Sequence, residues 1–151
     1  MTSKHTDPYA PHPIDRAAAM LAAVVCLLTT LAIWQSVSAH QPMWPLPGLY
    51  FVELPAVSLA AALRCNLGSS WARHATWAAL GIVLAFSILG AFSVGMLYLP
   101  VAVLLAVAGI SSDLRVGQRI TAHVGICLGT ALAQAALMLL AVRLLYPTDI
   151  F

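Results

Sequence analysis

The chain has 151 residues, of which 62% are hydrophobic and 8% charged, and its formal net charge is +2. Soluble globular domains carry about 25% charged residues, so this composition excludes an ordinary soluble protein. Seven Lys and Arg against five Asp and Glu provide no basic face for a nucleic-acid backbone, which excludes nucleic acid as a partner. A mean hydropathy of +0.93 and recurring apolar runs instead indicate a polytopic membrane protein.

The chain begins with a polar segment and continues into a first apolar run. Residues 1–16 hold three prolines and two histidines, and we expect them to form a cytoplasmic polar tail without a core of its own. Residues 17–39 are predominantly apolar, and as a helix they would be about 34 Å long, enough to span a bilayer. Val37-Ser38-Ala39 is typical of a signal-peptidase site, but the apolar run before it is longer than a signal core. We therefore predict an uncleaved first span.

Two polar loops flank the second apolar run. Residues 40–47 contain three prolines and a tryptophan, which predicts a turn at the membrane interface. A second span is predicted at 48–63. Residues 64–74 then form a polar loop with two arginines, in which Ser69 or Ser70 can cap the next helix.

The 36 residues from Ala75 to Ile110 carry no charge and fit either one long tilted helix or two short helices joined by a tight turn. A hairpin at Ser93 to Met96 would place Pro100 near a helix start, where its missing N–H costs nothing. The five spans of this alternative are about 17–39, 48–63, 74–93, 97–112 and 119–145, and they make up a transmembrane bundle over residues 17–145, with 146–151 as the outer C-terminal end.

The distribution of positive charge favours five spans over four, because cytoplasmic loops are enriched in Lys and Arg. With five spans, six cationic residues fall on one side and only Arg143 falls on the other. With four spans, Arg115 and Arg119 change sides and the division becomes four against three. We therefore predict an all-α integral membrane bundle of five transmembrane helices in the plasma (inner) membrane, with the N-terminus cytoplasmic and the C-terminus outside. The six residues are Lys4, Arg16, Arg64, Arg73, Arg115 and Arg119.

The segment from Gly90 to Gly95 reads G-A-F-S-V-G and is followed by Leu99-Pro100 and a helix rich in Ala, Leu and Val. It resembles uncharacterised small polytopic bacterial membrane proteins that share a G-x-F-S-[IV]-G turn before a proline-led helix. The resemblance covers about twenty residues and implies two helices joined by a tight turn. It implies no activity and transfers no functional residue.

Small residues recur every four positions along the fifth span. Because lipid tails are as apolar as leucine, helices in a bilayer associate where small side chains let their backbones approach. The third span offers a plausible mate, so we expect packing within the bundle, and a homo-oligomer or docking seam is the alternative. The helix-packing residues are Thr121, Gly125, Gly129 and Ala133 in the fifth span and Gly81 and Ala85 in the third.

Glu53 is the most unusual residue of the chain, because it is a carboxyl group within a predicted span. An ionisable group at membrane depth is costly and indicates a functional site by default. Gln134 and Gln35 come to the same outer half of the membrane, and Tyr50 and Tyr98 can join them. Such a site can bind a proton, a cation or a quinol hydroxyl. The alternative is a structural role, in which the carboxyl orients the proline-kinked second helix.

Five histidines raise the question of a haem, a pigment or a metal. No two of them share a helix at i, i+4 spacing and there is no Cys/His cluster, so no metal site is predicted. His74 and His123 fall at similar depth at the inner ends of the third and fifth spans, as an axial pair of ligands would. Membrane histidines near arginines more often lie at the headgroup level, so we expect that placement, with the axial pair as the alternative, and the sequence identifies no cofactor.

No arrangement of residues in the sequence supports catalysis. Cys26, Cys65 and Cys127 form no C-x-x-C pair, whereas a quinone-coupled disulfide enzyme needs paired thiols, so we expect buried packing cysteines. There is also no Ser/His/Asp order, phosphate-binding glycine loop or pair of carboxylates. We therefore predict that the protein is not an enzyme.

Three functional hypotheses follow from these patterns. The first is a small accessory or structural subunit of a larger membrane complex, in contact with the lipid bilayer and with other membrane subunits or a second copy. The first alternative is a small transporter or channel in which Glu53 binds an ion or proton. The second alternative is a quinone-, haem- or pigment-binding membrane subunit that uses His74 and His123.

Overall fold

Five helices long and apolar enough to cross a membrane make up the computed structural model, which describes residues 12–38, 46–67, 71–91, 93–117 and 120–145. The all-α prediction and the five spans are confirmed, and the chain is a multi-pass membrane protein. The helices are α1 (Pro13–Ser38), α2 (Leu46–Leu67), α3 (Trp71–Leu89), α4 (Leu99–Val116) and α5 (Ile120–Leu145), and one turn of 3₁₀ helix (Gly95–Tyr98) precedes α4.

Three predicted spans end or begin too early or too late, because the helices continue into the polar residues beside them. α1 begins at Pro13, since proline is tolerated in the first helical turn and the carboxylate of Asp15 is favourable near a helix N-terminus. α2 continues beyond residue 63 and places Arg64 in its last turn, where a cation is favourable. α4 continues beyond residue 112 and ends at Gly117, which adopts the left-handed conformation with φ of 65° and donates its N–H to the Asp113 carbonyl.

The turn between α3 and α4 depends on two glycines whose backbones touch. The N–H groups of Ser93 and Gly95 donate to the Gly90 carbonyl at 2.9 and 2.8 Å. A Cβ atom on Gly95 would lie 2.5 Å from the Gly90 carbonyl carbon, so a larger residue does not fit there. Pro100 lies in the first turn of α4, as predicted. The charge-free stretch is therefore two helices, although α3 ends at Leu89 rather than at residue 93.

The first four helices form a ring, and α5 packs against the outside of it. α1 contacts α2 and α4, and α3 contacts the same two helices, whereas α5 contacts α3 and touches α4 only slightly. In an apolar stretch of 18 residues, 61% of the residues of α3 are buried but only 11% of those of α5. Side chains that fill the centre of the ring are Cys26, Leu54, Val83, Tyr98, Val101 and Leu105.

Polar contacts show which helix ends lie together. Asp15, at the start of α1, accepts hydrogen bonds from Ser111 and Arg115 at the end of α4. A five-span chain places both groups on the same side of the membrane and so allows this contact, whereas the four-span alternative would place them on opposite sides. Which face of the membrane this end occupies stays a prediction. We call it the cationic end, and its arginines include Arg16, Arg64, Arg73 and Arg115.

Large apolar side chains cover the outside of the bundle. Leu28 is 60% exposed, Val103 60% and Leu132 71%. In water a surface of this kind would drive aggregation, whereas in hydrocarbon it is solvated by lipid tails. The surface therefore agrees with the membrane class that the composition predicts.

Some predictions concern residues outside the described ranges. They are the polar tail up to residue 11, the interfacial turn at 40–45, the capping residues Ser69 and Ser70, Arg119 at the predicted start of the fifth span, and the C-terminal end 146–151.

Candidate functional sites

The fold brings together Glu53 and Gln134, two of the residues that the sequence singles out. Glu53 lies seven residues after Leu46, the first residue of α2, or about 10 Å along the helix axis. Gln134 of α5 donates a hydrogen bond from Nε2 to Glu53 Oε2 at 3.0 Å. Gln134 is buried and Glu53 is half-buried. The amide engages one carboxyl oxygen, so the other oxygen can still accept a hydrogen bond or bind a cation.

This pair lies in a cleft between α2 and α5, which we call the Glu53 cleft. The two helices flank α3 with little backbone contact between them, and the space they leave has a volume of about 470 Å³. The side chains of Leu49, Val52 and Leu137 are each more than half exposed, so the cleft opens sideways into the lipid. The residues that line the cleft are Leu49, Tyr50, Val52, Glu53, Gln134, Leu137 and Ala141.

Gln35 and Tyr98 do not join the Glu53 pair. Gln35 is exposed on α1. Tyr98 is fully buried, its hydroxyl lies 2.9 Å from the Thr30 hydroxyl, and its ring packs edge-on against Phe86 at 5.2 Å. Tyr98 therefore joins α1, α3 and the start of α4 and has a packing role, whereas Tyr50 does lie in the Glu53 cleft.

A buried polar cluster at the cationic end was missed by the sequence analysis. Asp113 of α4 has no exposed surface, and its Oδ2 accepts a hydrogen bond from Trp77 Nε1 at 3.0 Å. His123 Nδ1 lies 2.9 Å from the same oxygen, an ion-pair distance without the alignment of a hydrogen bond. The His123 ring is stacked on Trp77 with an interplanar angle of 11°. The cluster joins α3, α4 and α5. Elsewhere, α4 and α5 make almost no contact with each other.

A signal for Asp113 is present in the sequence. Val101, Leu105, Gly109 and Asp113 follow one another at intervals of four, which places them on one face of a helix. The first three are buried, and Trp77 packs so closely that a Cβ on Gly109 would lie 3.1 Å from its ring. Because the predicted fourth span ends at residue 112, Asp113 falls outside it, and its place on this face is not apparent from the predicted spans.

His74 and His123 are close together, but not as ligands of a haem or related pigment. Their ring centroids lie 5.2 Å apart with an interplanar angle of 71°, which is an edge-to-face contact. Rings in contact leave no room for a tetrapyrrole plane between them, so the axial-pair hypothesis does not fit this packing. Within the described ranges, no three His, Cys, Asp or Glu side chains are placed to hold a metal ion.

The small-residue face of α5 does not pack against the described part of the chain, and the expectation of packing within the bundle is not met there. A Cβ atom on Gly125 or Gly129 would meet nothing within 4 Å. Thr121 and Ala133 are exposed. The reason is rotational, because α5 turns the opposite side, which carries His123, toward α3.

Gly81 of α3 does contact α5, but on that opposite side. A Cβ atom on Gly81 would collide with the Thr130 hydroxyl and the Cys127 backbone carbonyl, and Ala85, one turn further, is buried. Among the glycines described on α3 and α5, Gly81 is therefore the one at which the two helices approach most closely. Gly81 meets a surface of α5 other than the predicted one, and Ala85 is buried.

The three cysteines are free and buried, as predicted. Cys26 is 0% exposed, Cys65 8% and Cys127 6%. They lie on α1, α2 and α5, so their reactivity toward a thiol reagent reports the opening of three different helices.

Comparisons with protein-family models, curated proteins and solved structures find no match to this chain. The function is therefore inferred from the geometry of the clusters described above.

Proposed function

We propose that this chain is a small accessory or structural subunit of a larger complex in the plasma (inner) membrane, without catalysis of its own. In this proposal, α5 docks against a transmembrane helix of another subunit. The observation that supports it is the open face of α5, on which Thr121, Gly125, Gly129 and Ala133 are exposed.

Glycines on an open helix face have an energetic cost. Each glycine in a helix interior is less favourable than alanine by about 1 kcal/mol. Gly125 and Gly129 have no neighbouring atom within 4 Å of a Cβ position, so no contact in the described part of the chain offsets that cost. Small residues at four-residue spacing do let a second helix approach closely in a membrane. A partner helix on this face would supply the missing packing.

The test is co-purification of the full chain in mild detergent, followed by native mass spectrometry. The double variant Gly125→Leu/Gly129→Leu should lose the associated subunits, because the leucines fill the space for the partner backbone. The temperature at which the isolated chain unfolds should not fall, since both positions are open and leucine is a better helix former than glycine. Ala60→Leu adds similar bulk at an exposed position of α2 and should retain the partners.

The wild-type result decides between occupants of this face. A solitary chain, or a double variant that retains its partners, would contradict docking through α5. A complex made only of copies of this chain would replace the heterologous partner with a homo-oligomer.

The Glu53–Gln134 pair supports a second candidate function, a small transporter or channel in which Glu53 binds a proton or cation. The carboxyl lies within a span, beside a cleft that opens to lipid, and one of its oxygens is held by the amide at 3.0 Å. An ionisable side chain at this depth must be neutralised or paired, because hydrocarbon does not solvate charge.

Glu53→Gln should abolish proton or cation uptake into liposomes that contain the protein, and should change the free energy of unfolding by less than about 1 kcal/mol. The amide keeps the size and a hydrogen bond to Gln134 but cannot titrate. Gln35→Ala, at an exposed position outside the cleft, is the control and should leave uptake unchanged.

A spectroscopic measurement separates ion binding from a purely structural role. Glu53 is the only glutamate in the chain, so cell-free synthesis with carboxyl-labelled glutamate marks this one group. Infrared difference spectra recorded with and without the ion that is taken up should show a shift of the labelled carboxyl band. Unchanged uptake in Glu53→Gln, or a labelled carboxyl band that does not respond to that ion, would contradict the second candidate.

A further inference from the structure

A second cleft opens at the cationic end, between the last turn of α2 and the first turns of α3. We call it the Arg64 cleft. Its volume is about 690 Å³, larger than that of the Glu53 cleft. It arises because α2 and α5 both pack on α3 but leave a gap between each other. The residues that line it are Arg64, Trp71, His74, Ala75, Ala78 and Ile126.

The polar and apolar parts of this cleft are separated along the membrane normal. Arg64, Trp71 and His74 are exposed in the helix turns at the cationic end. Ala75 and Ala78 follow along α3 toward the membrane interior and give the cleft a shallow apolar floor. Tryptophan rings favour the headgroup level of a bilayer, which places this rim beside the lipid phosphates.

The charge of Arg64 is available to a ligand. Both carboxylates that the structure describes at this end are engaged elsewhere, Asp15 with Arg115 and Asp113 with Trp77 and His123. A guanidinium presents a planar fork of donors that matches phosphate geometry. Basic pockets between transmembrane helices are also the kind of site that binds acidic lipid headgroups.

We propose that the Arg64 cleft binds an acidic phospholipid, with Arg64 on the headgroup phosphate and an acyl chain along Ala75, Ala78 and Ile126. The headgroup places the positive rim against a negative charge, and the chain covers the apolar floor. This site is independent of the α5 docking face and of the Glu53 cleft, because Gly125, Gly129 and Glu53 do not line it.

The experiment uses the full chain in mild detergent, titrated with phosphatidylglycerol and followed by native mass spectrometry. Arg64→Gln should weaken phosphatidylglycerol binding roughly fivefold, the contribution of about one cation near a lipid surface. Arg143→Gln removes an exposed arginine from the last turn of α5, at the other end of that helix, and should leave binding unchanged. Ala75→Leu keeps the arginine but fills the floor, and should weaken binding as well.

Two further arms identify the ligand. Phosphatidylcholine has the same chains and no net charge, and it should bind more weakly than phosphatidylglycerol. Inorganic phosphate at the same concentration should not displace the lipid. Equal binding of the two lipids, complete displacement by phosphate, or equal losses in Arg64→Gln and Arg143→Gln would overturn the proposal.

Discussion

Gly81→Ala should separate α5 from α3 and lower the free energy of unfolding by about 3 kcal/mol, at the upper end of what overpacking costs. The added methyl group would collide with the Thr130 hydroxyl and with the Cys127 carbonyl, and it would lie 3.1 Å from the Ala131 nitrogen. The threonine hydroxyl can rotate, but the carbonyl belongs to the α5 backbone and moves only with that helix. The two helices must therefore part.

The buried cysteines provide the measurement for Gly81→Ala. Heating in mild detergent with a thiol reagent, followed by mass spectrometry of the labelled peptides, should show Cys127 reacting at lower temperature than Cys26. The order is expected because α5 is held mainly by α3, whereas Cys26 lies inside the ring of α1 to α4. Gly129→Ala is the matched control, since its Cβ meets open space and alanine is the better helix former. Equal destabilisation by the two changes would contradict the α3–α5 contact.

Asp113→Ala should be the second severe change, with a loss of about 3 kcal/mol in the free energy of unfolding, the upper end of what it costs to leave a buried donor without its acceptor. The carboxylate has no exposed surface and serves both the Trp77 indole N–H and His123. Without it, the indole donor stays buried without an acceptor, and α4 loses its main contact with α5. Asp113→Asn retains an acceptor for Trp77 and should cost less than Asp113→Ala.

Thermal unfolding followed by labelling of Cys65 and Cys127 measures the effect of Asp113→Ala. Leu114→Ala changes the neighbouring residue, which is 67% exposed, and provides the control. Because Leu114 faces lipid, its truncation should have little effect. If the two variants unfold at the same temperature, the Asp113 cluster does not hold the cationic end together.

The sequence identifies the pair at the Glu53 cleft but not the cluster around Asp113. Glu53 and Gln134 stand out because each is polar within an apolar run, and both fall in the same half of the membrane once the spans are counted. Asp113 falls just outside the predicted fourth span, in the polar stretch between the fourth and fifth spans. Its burial depends on a tryptophan 36 positions earlier and a histidine ten positions later, a contact that no local pattern contains.

What the sequence by itself determined is the membrane class, the number of spans and the presence of a hairpin between α3 and α4. These follow from quantities that act along the chain: apolar length against bilayer thickness, the sidedness of arginines, and the restrictions of glycine and proline. Only the tertiary structure decided which face of each helix is covered. Small residues line two sides of α5, and Gly81 packs on the side of Cys127 and Thr130 rather than on Gly125 and Gly129. The physical reason is that lipid solvates either apolar face equally well, so hydropathy does not determine the rotation of a helix, and close packing and buried polar contacts between helices select it.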